Sequence, residues 1–238
     1  MKALPFPCIR PADDRVLDAL ANMGAILASG DGIQQGLAAG LLLKDPGAAY
    51  YLYERRDDSG TRTAVLANVP VAQVEAALDK PATPAADAPS PGVASADDIL
   101  DLKVQPRPTT LSFQSDPVMQ IIVGAAKEGA ALYDLVDPAG IKHRFWEVKR
   151  PDAVDALRAM LEQAPAPTAE DDAEQARFAV AAARRLIDRA KSEGAYSGKE
   201  PFNFILSALF PQKNGASTQP APAPRAPLGL IMHQVARF

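Results

Sequence analysis

A chain of 238 residues, 47% hydrophobic and 23% charged, is long enough for one large domain or two small ones with a sizeable core. Its net charge of −4 gives no reason to expect nucleic acid or an anionic membrane as partner, and one cysteine, Cys8, excludes an internal disulfide or a multi-cysteine metal site. The opening MKALPFPCIRP lacks the apolar run of a signal peptide, and no stretch approaches the ~18 apolar residues of a membrane span, so a cytoplasmic protein is expected.

Residues 1–78 read as a helix and hairpin block. RVLDALANMGAILASGDGIQQGLAAGLLLKD (15–45) predicts one or two Ala/Leu-rich helices broken at SGDG. AAYYLYERRDDSGTRTAVLANVPV (48–71) predicts a hairpin turning at DDSG. Tyr51 and Tyr53 alternate with Leu52 and Glu54, and Thr63, Val65 and Ala67 alternate back. AQVEAALD (72–79) has helical spacing in Val74, Ala77 and Leu78. Residues 79–98 are Pro, Ala, Asp and Ser with little to bury, which predicts a loop or linker. Segments 80–95 and 213–226 are expected to be irregular, mobile and at the surface.

Residues 99–238 read as a second, α+β block, with the whole chain forming either two units or a single domain. TTLSF (109–113) predicts a strand and PVMQIIVGAAKEG (117–129) a helix. LYDLVDPAGIKHRFWEV (132–148) predicts a hairpin, and PDAVDALRAMLEQ (151–163) a helix whose Pro151 suits a first turn. Past a proline-rich stretch, AEQARFAVAAARRLIDRAKSEG (173–194) repeats Phe178, Ala182, Leu186 and Ala190 on one helical face and stops at Gly194. FNFILSALFP (202–211) is short and apolar throughout, which suits a strand covered on both faces. A third proline-rich loop (211–227) precedes a last strand in LGLIMHQVARF. The fold class is α+β (or α/β): a mixed sheet built of hairpins with helices on its faces.

The hairpin at 132–148 holds the only Trp and one of two His. Asp137-Pro138-Ala139-Gly140 predicts a three-residue, bulged turn. That register sets Asp134 opposite Arg144, Tyr133 opposite Phe145 and Leu135 opposite His143. Tyr133, Leu135, Ile141, His143 and Phe145 then face the core, and His143 is a hydrogen-bonded structural histidine. A two-residue register would instead couple Asp134 to His143 and revive acid–base chemistry. Asp134, His143 and Arg144 are therefore the catalytic candidates if any exist.

Other motifs read blandly. SGDGIQQG (29–36) lacks the Lys-Ser/Thr of a phosphate loop and the spacing of a dinucleotide fingerprint, so it is a glycine-rich loop between helices. The tyrosines of AYYLYERR (49–56) are packing residues, and ARRLIDRAK (183–191) is a solvated helix face. Cys8 has two prolines and no histidine nearby, which leaves it a poor nucleophile. His143 and His233 alone do not make a metal site, so neither a metal nor a cofactor site is expected.

Several fragments in order resemble one bacterial and archaeal family, called domain of unknown function 1015. They are PFPCIRPADDRV (5–16), YYLYERR with GTRTAVLANVPV, LYDLVDPAGIKHRFWEV, FNFILSALFP and LIMHQV. The resemblance implies three further boxes: a P-Y-D-V segment, an H-E-x-T-R-like box and an A-D-G-H-H-R box. The last is similar to the phosphate-contacting box of ParB/sulfiredoxin-like proteins. This chain lacks all three. RVLDALANM stands in place of the first, the proline-rich 78–98 in place of the second, and Glu170, Asp171, Asp172, Ala173 and Glu174 in place of the third. An acidic run repels phosphate and makes a good helix start. Relatives also continue beyond the strand that ends this chain, so a degenerate, C-terminally short member is expected.

The function expected is that of a non-catalytic binding, subunit or scaffold protein, with an unknown protein partner or self-association. The alternative is an enzyme acting on a nucleotide or a phosphorylated metabolite through Tyr51, Arg55, His143 and Arg144.

Overall fold

The computed structural model describes residues 2–58, 60–76, 102, 104–106, 108–112, 117–163, 184–185, 187–189, 191–194, 203–211 and 229–234. The chain opens with β1 (Cys8–Pro11), then three short helices, α1 (Val16–Ala21), α2 (Met23–Ile26) and α3 (Gly30–Ala38), and β2 (Leu42–Lys44). A long hairpin follows, β3 (Tyr50–Asp57) and β4 (Gly60–Pro70), leading into α4 (Val71–Ala76). Next come β5 (Val104–Gln105), β6 (Thr109–Ser112) and α5 (Pro117–Ala126). The second hairpin is β7 (Tyr133–Val136) and β8 (Lys142–Val148), followed by α6 (Pro151–Gln163), β9 (Asn203–Pro211) and β10 (Met232–Gln234).

These strands form two sheets. One has the order β2-β1-β10-β5, and the other β6-β9-β4-β3-β8-β7. All neighbours are antiparallel except β6 and β9, so the larger sheet is the mixed one. The α+β expectation is met. Both sheets take strands from each side of residues 79–98.

Side-chain alternation explains the layering. In β1, Cys8 belongs to one core cluster and Ile9 to another. The Cys8 side meets the larger sheet through Phe6, Tyr51, Tyr53, Ala64, Leu66, Phe145, Leu230 and Ile231. The Ile9 side packs on α1–α3 through Ala19, Met23, Ile26 and Ile33. The other face of the larger sheet meets α5 and α6. Lys127, one residue past α5, bonds Glu54 and Thr63, and Arg158 of α6 approaches the Tyr50 hydroxyl.

Several expectations change in detail. The helices break at SGDG as expected, between Ile26 and Gly30, but its glycines belong to the next helix: Ser29 caps α3 by accepting the Gly32 N–H at 3.2 Å. Gly32 is needed for close approach, because a Cβ there would lie 2.5 Å from the Ile26 carbonyl oxygen. LLLKD ends the helical region as strand β2, and CIRP, given no element from periodicity, is strand β1. The strand in LGLIMHQVARF spans Met232–Gln234. Of the expected helix 173–194, residues 184, 185, 187–189, 191 and 192 are helical, and Gly194 has the left-handed φ of 70° that a helix stop uses. The expected irregular segments 80–95 and 213–226, and residues 170–174, lie outside the described residues.

Candidate functional site

The hairpin at 132–148 has the register expected of its turn. Tyr133 pairs with Phe145, Asp134 with Arg144, and Leu135 with His143. Gly140 takes φ 79° and donates to the Asp137 carbonyl, while Asp137 N–H donates to the Ile141 carbonyl, closing the bulge. Tyr133, His143 and Phe145 are buried, and Leu135 and Ile141 are half-buried. Asp134 never meets His143: it accepts from Arg144 Nε at 3.0 Å and pairs with Lys142 at 3.1 Å on the other face.

His143, 4% exposed, instead joins a chain of three groups. Its Nδ1 lies 2.9 Å from the Tyr53 hydroxyl, and its Nε2 3.3 Å from Asp137 Oδ2. A phenol donating to Nδ1 and an Nε2–H donating to the carboxylate satisfy all three. Asp137 does two jobs, since its Oδ1 also accepts the N–H groups of Ala139 and Ile141, each at 2.9 Å. Slight burial opposes ionisation of Asp137, but the Ile141 N–H, His143 and the Ala139 N–H outweigh it and hold the carboxyl below its ordinary range. Sequence reasoning weighed Asp134 as the partner and missed Asp137. The signal was present, because Asp137 shares the parity of Leu135 and so the face of His143.

A second group, whose Cys8, Tyr51 and Tyr133 were weighed only singly in the sequence, ties the two sheets together. Asp45, in the loop after β2, is buried and accepts three bonds. Arg10 Nε donates to Oδ1 at 3.0 Å, and Tyr51 hydroxyl and Cys8 Sγ donate to Oδ2 at 2.6 and 3.1 Å. Arg10 Nη1 continues to the Tyr133 hydroxyl at 2.9 Å and to Asp13. Tyr133 in turn donates to the Pro11 carbonyl. Burial pushes the Cys8 thiol and the Tyr51 and Tyr133 phenols well above their ordinary values. None of the three is poised to ionise.

His233 lies on the Cys8 side of β10, edge-on to Phe6 at 5.4 Å. Its Nδ1 has no partner among the described residues, and burial lowers its pKa to about 4. On the helix-covered face, Lys127 bonds Glu54 at 2.6 Å and stands over the Trp146 ring, while Arg144 lies 3.8 Å from Glu54. Arg184, Arg185 and Lys191 are exposed. No cluster of three His, Cys, Asp or Glu able to hold a metal occurs among the described residues. No helix among them is long and apolar enough to cross a membrane.

Fold and polar groups together define an α+β protein of two facing sheets with hydrogen-bonded polar groups set into the apolar core between them. The model of the family described as "Protein of unknown function (DUF1015)" matches residues 22–218, and the chain belongs to that family. No match was found among curated proteins or among solved structures.

Proposed function

We propose that this chain is a non-catalytic binding, subunit or scaffold protein of the cytoplasm. It holds no metal or cofactor of its own and meets a protein partner or a second copy of itself, not nucleic acid or membrane. One observation carries this reading: the reactive groups gathered around Asp45 and His143 are engaged with one another. Asp45 takes three donors, and both nitrogens of His143 are engaged. A general base or nucleophile needs a group that substrate can reach. The missing Gly-His-His-Arg box supports the same reading, with Glu170–Glu174 in its place.

A competing reading has one observation in its favour. Tyr53, His143 and Asp137 stand in hydrogen-bonded series, a phenol–imidazole–carboxylate order that suits proton transfer to a nucleotide or phosphorylated metabolite. Solution mass across a concentration series tests self-association. A thermal-shift screen with ATP, ADP, phosphoserine and Mg²⁺, run beside assays for turnover of each, separates binding from catalysis. A ligand at 100 times its Kd adds about 2.7 kcal/mol and raises the melting point clearly. The binding reading predicts no turnover of any of them. Turnover that His143→Gln abolishes would transfer the assignment to the enzyme.

A further inference from the structure

We infer that the tip of the β3–β4 hairpin holds a site for a small oxyanion, a phosphate or carboxylate group, with Arg55 as its main donor. This deepens the binding reading and rests on it. Register places Arg55 directly opposite Arg62 on one side and His143 on the other. Directly opposed residues of antiparallel strands share a face, with Cβ atoms about 5 Å apart. Two guanidinium groups so placed repel each other. Asp57 offsets this at Arg55, with its Oδ2 3.0 Å from Arg55 Nη2.

The Nε of the same guanidinium is shielded from water and has no acceptor among the described residues. A buried N–H left without an acceptor is costly, and few native structures leave one so. A guanidinium's adjacent N–H groups match two oxygens of a single anion, which an ammonium does not. The Arg55 side chain is 18% exposed although its Nε is covered, so an anion reaches that donor only by a small shift of the side chains around it. His143 is fixed beside it by Tyr53 and Asp137, and Asp57 is the countercharge that Arg55 already has. Arg10 makes the contrast, since its guanidinium is engaged by Asp45, Asp13 and Tyr133.

The test is calorimetric titration and thermal shift of the full chain with inorganic phosphate, pyrophosphate and citrate, against sodium chloride at matched ionic strength. Wild type, Arg55→Lys, Arg55→Gln and Arg56→Gln are compared, each checked for native circular dichroism. Saturable binding of at least one oxyanion is expected. Arg55→Lys should weaken it about tenfold or more, because the forked donor pair is lost. Arg56→Gln, on the opposite face, should bind as wild type does. Preference for the two phosphates over citrate, or the reverse, identifies the group recognised. The site is refuted if no oxyanion exceeds chloride in the wild type, or if Arg55→Lys binds equally well. That failure leaves the binding reading of the chain standing. Hydrolysis of pyrophosphate that depends on Arg55 would keep the site and overturn that reading.

Discussion

Two groups of polar side chains, one buried and one largely half-buried, touch one face of the six-stranded sheet. Around Asp45, donors from β1 and β3 converge on a single carboxylate, and Arg10 carries the network on to Asp13 and Tyr133. Around Arg55, the carboxylates Asp57 and Asp137 hold a guanidinium and an imidazole, yet Arg55 Nε is left over. The first group spends its hydrogen bonds inside the molecule and joins two sheets. The second keeps one donor in reserve beside a second cation. The two groups differ in burial and in the completeness of their hydrogen bonding, and it is the second difference that leaves a donor for a ligand.

The largest effect is expected where the network is complete. Asp45→Ala would take the buried one of Arg10's two carboxylate partners and leave Tyr51 without its acceptor, at a cost of about 3–5 kcal/mol. Urea denaturation measures it, and a loss below about 1 kcal/mol would show that the cluster does not pin the sheets.

His233 sharpens the comparison through pH. The unfolded chain takes up a proton near pH 6.5, but the folded chain resists until about 4 because burial penalises the imidazolium. Stability from this residue is thus intact above pH 6.5 and declines as pH falls toward 4, by about 3 kcal/mol in all. His233→Gln should flatten that part of the pH–stability curve; an unchanged slope would exclude His233 as its source.

Tyr53→Phe removes the hydroxyl facing His143 Nδ1 and should cost about 1–2 kcal/mol. If stability instead holds within a few tenths, His143 finds another donor and the series of three is not fixed. Smallest is the exposed Asp134–Arg144 pair, where a double-mutant cycle should give about 0.2–1 kcal/mol. A coupling well above that range would make this surface pair part of the core architecture.

Much of the larger sheet was legible because its rules are local. Asp137-Pro138-Ala139-Gly140 dictates a turn, the turn dictates register, and register places His143 inside. The β3–β4 hairpin and the interior strand β9 follow from alternation and from a continuous apolar run. The Asp45 cluster was not legible, since β1 and β2 are too short to show alternation. Arg10 and Asp45 meet only because β1 lies between β2 and β10, and no local pattern announces that order. The reserve donor on Arg55 was invisible for a different reason. Only the placement of Asp57, Arg62 and His143 around it shows what it lacks.

The late strands fill interior places: β9 sits between β6 and β4, and β10 between β1 and β5. During synthesis, the rim of β4 therefore stays bare from the time Pro70 emerges until Asn203–Pro211 follow, on the order of ten seconds. β1 waits longer still for Met232–Gln234. A growing chain with two unpaired rims can add a strand from a neighbouring chain as readily as its own. Yield on the ribosome should thus depend on slow, dilute production or on a chaperone that shields those rims, more than on the stability of the finished fold.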